Sequence, residues 1–388
     1  MSSIIVTVLF CLSNIVSSSA MNSELRHQNT SLNITELANK YNYHIDEHDV
    51  ITEDGYILRV QRLRTRFTNR TEKGISVLLM HGVLDSADSW LLQGSKSLGF
   101  ILANFGFDVW LGNARGNKYS ASHRNLTVND ERFWNFTWEE IGIYDLPAMI
   151  DYIKNNKSSN LYYVGHSQGT TSFYAMASLR PEYGRKIKMM FSLAPVAWIS
   201  NTKSILLRYI SKIVNTTFFP VNVYTSSTEI VSKVSKLFCN MLIINCNINI
   251  IQPFIGYDHK LIEETMLPVI FEHFPTRSST LQLIHYAQLI NSRRFCRFDY
   301  GANNYLKYGQ KSAPDYDLSK ITTPMVLFYS DNDWLSDPLD VAKLSDGLPK
   351  VYKRYHLDKF NHFDYMYAIP KVTKIHTITK SERRREPM

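Results

Sequence analysis

Short apolar runs recur along the chain, separated by segments with the periodicity of helices. The runs cover residues 75–80, 108–111, 161–164, 189–193 and 325–329. Because most successive positions in each run are apolar, both faces of each predicted strand are expected to be covered, as in a parallel sheet flanked by helices. Residues 139–155 place their apolar side chains mostly on one helical face, and residues 170–179 follow another strand in the same way. This alternation predicts an α/β fold with a mostly parallel sheet.

The alternation stops near Trp198 and resumes near Ile321. A loop of that length without structure is uncommon inside a compact domain, so an inserted cap or lid is predicted. We expect the first part of an α/β core at residues 21–197, the cap at 198–312 and the second part of the core at 313–370.

Composition and charge exclude several classes of protein. Hydrophobic residues make up 44% and aromatic residues 13% of the 388 residues, whereas disordered chains contain few aromatic residues. The net charge of +8 is modest, and its dense basic run, Arg383 to Arg385, lies in the C-terminal tail at residues 371–388. A nucleic-acid-binding protein would concentrate its charge in a basic stripe, so no nucleic-acid partner is expected.

The N-terminus has the pattern of a secretory signal. Residues 4–12 are nearly all apolar, and Ser18, Ser19 and Ala20 place small residues at a cleavage site. The run is shorter than the about 20 residues that span a bilayer. A cleaved signal peptide at residues 1–20 is predicted, with a buried N-terminal strand or helix as the alternative.

Possible glycan acceptors support a secretory route. Seven asparagines stand two positions before Ser or Thr with no Pro between them: Asn29, Asn33, Asn69, Asn125, Asn135, Asn156 and Asn215. The sequence therefore predicts a glycosylated protein that is secreted or delivered to lysosomes.

Three cysteines remain after removal of the signal: Cys239, Cys246 and Cys296. One disulfide with one free thiol suits an oxidising compartment, and three unbridged cysteines are the alternative. No Cys-x-x-Cys pair occurs, so neither a zinc ribbon nor a thioredoxin-type site is suggested.

A candidate nucleophile lies in the sequence Gly165-His166-Ser167-Gln168-Gly169, which matches G-x-S-x-G. The motif directly follows a predicted strand and precedes a helical segment, which is the context of a nucleophile elbow. An ordinary turn bounded by glycines is the alternative. Serine needs a general base, and the base needs an orienting acid, so two further residues are required.

The acid and the base are expected in that order after the serine. Asp331 and Asp333 both follow the 325–329 run, and Asp337 and Asp340 are less favoured because they lie in the next helical pattern.

His362 lies in the loop after a predicted strand at 351–357. His356 lies inside that strand and His376 in the tail, so neither is favoured as the base.

An oxyanion hole needs two N–H donors directed at the developing negative charge. Gln168, the residue after the nucleophile, is one candidate. Val83 is the other, because it follows His81-Gly82 at the end of the 75–80 run. A plain turn at the strand end is the alternative.

Several separated segments resemble the acid lipases, a family that includes gastric and lysosomal acid lipases. They are residues 52–58, 108–117, 144–148, 165–169 and 193–197, together with the segments around Asn332-Asp333 and Asn361-His362. The resemblance covers residues 33–368. It implies an α/β-hydrolase core with a helical cap and a movable lid, and no metal or cofactor.

The resemblance also assigns residues and substrates. It aligns the family's acid with Asp333 and its oxyanion donors with Val83 and Gln168, and it implies triacylglycerols and cholesteryl esters as substrates. This chain departs from the family pattern at Ser330-Asp331, where two glycines are usual. The family often has a cysteine pair in the lid region, where Cys239 and Cys246 fall. The segment around Arg115 is structural in this family.

A serine lipase acting at a lipid–water interface is therefore expected, with Ser167, Asp333 and His362 as its triad. Two alternatives remain. An esterase for short soluble esters would have a cap closed to long chains. A non-catalytic lipid-binding protein on a hydrolase fold would normally lack a triad member, and all three are present here.

Overall fold

A nine-stranded sheet runs through the protein in this computed structural model, which describes residues 32–65, 75–156, 160–216, 252–263 and 266–368. The strands are β1 (Tyr43–Ile51), β2 (Tyr56–Thr65), β3 (Ile75–Met80), β4 (Asp108–Gly112), β5 (Ser122–His123), β6 (Asn160–His166), β7 (Ile187–Leu193), β8 (Met325–Tyr329) and β9 (Val351–His356). They lie in the order β1-β2-β4-β3-β6-β7-β8-β9, and β5 pairs with β2. From β4 to β9 neighbouring strands are parallel, whereas β2 is antiparallel to β1, β4 and β5.

The apolar runs form the central strands, as predicted. Strands β3 and β8 have the predicted bounds, and β4, β6 and β7 extend slightly beyond them. In β3 the side chains of Val77 and Leu79 belong to one buried cluster, and those of Leu78 and Met80 belong to another. The sheet is therefore covered on both faces, as expected for parallel strands.

The helices cover these faces and fill the connections between strands. They are α1 (Ile34–Lys40), α2 (Leu98–Asn104), α3 (Trp138–Glu140), α4 (Leu146–Asn155), α5 (Gln168–Leu179), α6 (Pro181–Gly184), α7 (Ile205–Thr216), α8 (Gln252–Ile255), α9 (Leu267–His273), α10 (Thr280–Ser292), α11 (Asn304–Tyr308), α12 (Pro338–Gly347) and α13 (Asp364–Tyr367). A π-helical turn, Ile141–Asp145, joins α3 to α4. The helix predicted at 139–155 is therefore one continuous helical run with a wider central turn.

The N-terminal hairpin of β1 and β2 carries no apolar run and was not predicted. Buried and exposed positions alternate along much of β1, as in a strand with one solvated face. On that face Arg59 binds Asp49 across the hairpin at 2.7 Å. A strand with one solvated face lacks the apolar run that marks the central strands.

Helices α7 to α11 lie between β7 and β8, in the region where the strand alternation of the sequence stops. Within the described ranges, none of the helices has the length and apolarity needed to span a membrane. The predicted signal peptide and tail, together with Cys239, Cys246, Asn29 and Asn69, lie outside the described residues.

Candidate active site

Ser167 stands on a strained turn between β6 and α5. Its φ of 52° and ψ of −118° lie in a region that residues with a side chain rarely adopt. A Cβ atom on Gly169 would lie 2.4 Å from the carbonyl oxygen of Met80, and one on Gly165 would lie 2.9 Å from the backbone of Gly169. Both glycines are therefore needed for the close packing of this turn. The G-x-S-x-G sequence forms the strand–turn–helix that a nucleophile elbow requires.

The structure brings Ser167, His362 and Asp333 into one chain of hydrogen bonds. Nδ1 of His362 lies 2.9 Å from each carboxylate oxygen of Asp333, and its Nε2 lies 2.7 Å from Oγ of Ser167. All three side chains are buried. The carboxylate of Asp333 accepts a hydrogen bond from Nδ1–H of His362, so the proton of the neutral ring is on Nδ1. Nε2 is therefore free to accept a hydrogen bond from the serine hydroxyl.

The acid loop after β8 orients Asp333 from its other side. Oδ1 of Asp333 accepts the backbone N–H groups of Leu335 at 2.9 Å and Ser336 at 3.0 Å. Asp331 points away from the site: its side chain is 75% exposed and lies 3.0 Å from Nε2 of His356. The extra carboxylate in this loop thus faces solvent.

The histidine loop after β9 is held by side-chain hydrogen bonds to its backbone. The side-chain oxygen of Asn361 accepts the N–H groups of Phe363 and Asp364. Nε2–H of His166, the residue before the serine, donates to the carbonyl oxygen of His362 at 3.0 Å. Burial of His166, together with the nearby ring of His362, holds the pKa of His166 well below its ordinary value. The imidazole ring of His166 is therefore neutral.

The predicted oxyanion donors lie on two sides of Ser167. A Cβ atom on Gly82 would lie 3.3 Å from Cβ of Ser167, so the loop carrying Val83 packs directly against the serine. Gln168 is the first residue of α5, where an N–H group has no acceptor within the helix. Neither Val83 nor Gln168 has a backbone N–H partner among the described residues.

His81 holds the start of this loop. Its Nδ1–H donates to the carbonyl oxygen of Gly82 at 2.7 Å, and its Nε2 accepts the N–H of Ala114 at 3.1 Å. Burial lowers the pKa of His81 to about 4, so the ring is neutral over the physiological range.

Contacts from the insertion between β7 and β8 were not identified from the sequence. The carbonyl oxygen of Ile255 accepts the N–H of His362 at 3.0 Å. Near the oxyanion loop, the N–H of Thr276 donates to the carbonyl oxygen of Leu84 at 2.7 Å, and Nδ1 of His273 lies 2.5 Å from Asp88. Contacts made by backbone atoms leave no motif in a single sequence, and His273 and Asp88 are 185 positions apart, so neither kind of contact leaves a local signal.

Asp88 is a buried anion in the segment that follows the loop carrying Val83. Burial opposes its charge, but the hydrogen bond from His273 and the positive charge of Lys118 hold its pKa below the ordinary value. The hydroxyl of Tyr119 also donates to it at 2.7 Å. The cluster fixes α9 against the segment that follows the predicted oxyanion donor.

Arg115 has a structural role in a buried ion-pair network. Its guanidinium lies 2.7 Å from Asp145 and 2.9 Å from Asp54, and it stacks on the ring of Tyr56 at 4.0 Å. Burial by itself would lower the pKa of Arg115, but the carboxylates of Asp145 and Asp54 outweigh it and raise the pKa. The network joins the turn of the N-terminal hairpin to the π-helical turn.

The other predicted residues lie on the surface or in the core. Four described sequon asparagines are exposed: Asn33, Asn125, Asn135 and Asn156. The side chain of Asn215 is outside the described set. Cys296 is buried with a free thiol, and burial raises its pKa.

Comparisons with known proteins agree on the fold. The family model of the partial alpha/beta-hydrolase lipase region matches residues 34–94, and that of the alpha/beta hydrolase fold matches residues 75–229. An epoxide hydrolase of Vigna radiata superposes with a TM-score of 0.53 at 15% identity, covering 88% of this chain and 98% of that one. A thermophilic esterase of Thermogutta terrifontis has a TM-score of 0.51 at 14% identity, with the same coverage. The protein is an α/β hydrolase.

Closer relatives define the family. Lipase 1 of Drosophila melanogaster is 38% identical over 88% of this chain and 77% of its own length. Gastric triacylglycerol lipase of Homo sapiens is 34% identical over 87% of each chain, and Lipase member J of Homo sapiens is 34% identical over 87% of this chain and 95% of its own. The chain belongs to the acid lipase family and is a lipase, a hydrolase of carboxylic esters.

Proposed function

We propose that Ser167, His362 and Asp333 are the catalytic triad of this lipase. His362 Nε2 takes the hydroxyl proton while Oγ of Ser167 attacks the ester carbonyl, and Asp333 stabilises the imidazolium. His362 then protonates the departing alcohol. Water, deprotonated by His362, next attacks the acyl-enzyme and releases the carboxylic acid and free serine. The observation that carries the proposal is the hydrogen-bond chain of 2.7 and 2.9 Å through His362.

The N–H groups of Val83 and Gln168 bind the oxyanion of the tetrahedral intermediates in this proposal. Support comes from the packing of Gly82 against Ser167 and from the position of Gln168 at the first turn of α5. Donors fixed in advance stabilise developing charge without reorganising during the reaction.

The proposed substrates are neutral lipid esters, triacylglycerols or cholesteryl esters, taken at a lipid–water interface. The similarity to gastric triacylglycerol lipase of Homo sapiens supports the first of these. Residues 198–312 form the cap in this proposal, residues 21–197 and 313–370 form the core, and helices α7 to α11 belong to the cap.

The proposed location is extracellular or lysosomal, after removal of residues 1–20. The surface positions of Asn33, Asn125, Asn135 and Asn156 support glycosylation in the secretory pathway, because the transferase needs accessible acceptors.

The test compares wild type, Ser167→Ala and Ser178→Ala on an emulsified long-chain triacylglycerol and on a short soluble ester, from acidic to neutral pH. Ser178 is a matched control: it is buried in helix α5, which begins directly after Ser167, and its hydroxyl has no partner among the described residues. We expect release of long-chain fatty acid by wild type and Ser178→Ala and a fall to residual activity in Ser167→Ala. Activity on the short ester alone would indicate an esterase. Retained turnover by Ser167→Ala would refute the triad.

A further inference from the structure

A short segment of the insertion crosses both loops that carry the histidine and the acid. This strap consists of Ile255, Gly256 and Tyr257 at the end of α8. The carbonyl oxygen of Ile255 accepts two N–H groups, that of His362 at 3.0 Å and that of Trp334 at 3.3 Å. One carbonyl thus binds the histidine itself and the residue directly after Asp333.

Asn332, the residue directly before Asp333, makes the second connection. Its Oδ1 accepts the N–H of Tyr257 at 3.0 Å. Its Nδ2 donates to the carbonyl oxygen of Tyr257 at 2.8 Å and to that of Lys359, in the histidine loop, at 2.9 Å. A single amide therefore ties the acid loop to the strap and to the histidine loop.

Gly256 permits this close approach. Its φ is 114°, and a Cβ atom there would lie 1.9 Å from the carbonyl oxygen of Asn332 and 3.2 Å from Cβ of Asn361. At Gly256 the backbone of the strap packs directly against the acid loop, with no space for a side chain between them. Ile255 and Asn361 are buried at this junction.

We propose that the strap and Asn332 are positioning elements that set the geometry between Asp333 and His362. This inference rests on the triad roles proposed above. The two loops follow different strands, β8 and β9, and the strap bonds to both of them beside the reacting groups. A displacement of about 1 Å in a catalytic group can cost on the order of 100-fold in rate, so small shifts of either loop affect turnover more than binding.

The first test measures kcat and KM on a short soluble ester for wild type, Asn332→Ala and Asn201→Ala, with Ser167→Ala as the reference. Asn201 is the matched control because its amide also bonds the insertion to the segment after β8, at 2.8 Å to Asp340, without touching either catalytic loop. We expect Asn332→Ala to lower kcat about 10- to 100-fold with KM within about two-fold of wild type. Asn201→Ala should keep the wild-type kcat, even where the two variants lower Tm equally.

The second test uses glycine variants. Gly256→Ala adds a methyl group against the Asn332 carbonyl, whereas Gly309→Ala adds one at positive φ with no atom within 4 Å. We expect a large loss of kcat in Gly256→Ala and wild-type kcat in Gly309→Ala. If Ser167→Ala is inactive while Asn332→Ala and folded Gly256→Ala keep wild-type kcat, the triad stands and the positioning role is wrong. If Ser167→Ala itself turns over, the proposed function is wrong.

Discussion

Asp333 and Asp331 lie two positions apart in one loop, yet their carboxylates point in opposite directions. Asp333 is fully buried and lies 2.9 Å from Nδ1 of His362, whereas Asp331 is 75% exposed and lies 3.0 Å from Nε2 of His356. The order of residues along the chain left the choice between them open, and the resemblance to the acid lipases pointed to Asp333. In the turn that follows β8, Asp333 is the one directed towards the histidine loop, which supports it as the proposed acid.

Replacing Asp333 with Asn should reduce kcat by about 10⁴-fold with little change in KM. The amide oxygen can still accept the N–H groups of Leu335 and Ser336, so the loop is expected to keep its shape. An amide NH₂ facing Nδ1 would favour the tautomer with a proton on Nε2, which cannot accept the serine proton. Hydrolysis of a short soluble ester measures the effect.

Asp331→Asn is the control for that experiment and should keep wild-type kcat and KM. It changes the same side chain in the same loop but affects only a surface pair with His356. Equal losses in the two variants would mean that the charge of the loop, and not the contact with His362, supports activity.

The central sheet and the elbow could be predicted from the sequence because their signals are local. Strand β8 is one continuous apolar run, and β3 is an apolar run broken only at Ser76. The two glycines of the elbow each lie two positions from Ser167 in the chain. The hairpin of β1 and β2 could not be found in this way, since its positions alternate between buried and exposed.

The strap shows why part of the site could not be predicted. Ile255 binds His362 through a carbonyl oxygen that every residue possesses, so its identity carries no information about the contact. Gly256 is one of 16 glycines in the sequence. Only the fold shows that its missing side chain leaves space for Asn332.

Asp85 should make the protein less stable as the pH rises. Burial raises the pKa of this carboxyl from 3.8 to about 7, so the folded protein keeps a proton that the unfolded chain releases. Unfolding then releases a proton between about pH 4 and 7, and by linkage the free energy of unfolding falls across that window and levels off above it. Asp85→Asn removes this dependence while keeping an acceptor for the N–H of Ser86.

Thermal melts of wild type and Asp85→Asn at pH 4 to 8 measure this effect. We expect similar Tm values near pH 4 and a rising advantage of the variant towards neutral pH. Asp331→Asn should follow the wild-type curve, because its carboxylate is exposed. A variant whose Tm falls with pH in parallel with wild type would show that Asp85 is ionised in the folded protein.

Arg115→Met should destabilise the protein by about 3–5 kcal/mol, since the substitution leaves the buried carboxylate of Asp145 without its partner. Arg132→Met is the control, because the pair of Arg132 with Asp130 is on the surface, and it should leave the denaturation midpoint unchanged. Urea unfolding measures both variants. Because the network contains none of the triad residues, the folded fraction of Arg115→Met should keep wild-type kcat, and a selective loss of kcat would give Arg115 a role in the site.

Asn33 allows glycosylation to be separated from its role in helix α1. Its Oδ1 caps the helix by accepting the N–H groups of Thr35 at 3.0 Å and Glu36 at 2.9 Å, which leaves Nδ2 for a glycan. Asp is as good a cap but accepts no glycan, so Asn33→Asp should lose one glycan and keep the wild-type Tm. Asn33→Ala should lose the glycan and about 1 kcal/mol of stability. Mass spectrometry of protein secreted by eukaryotic cells, before and after N-glycosidase treatment, gives the glycan count. If Asn33→Asp carried the same number of glycans as wild type, Asn33 would not be a glycan acceptor and its role would be the helix cap.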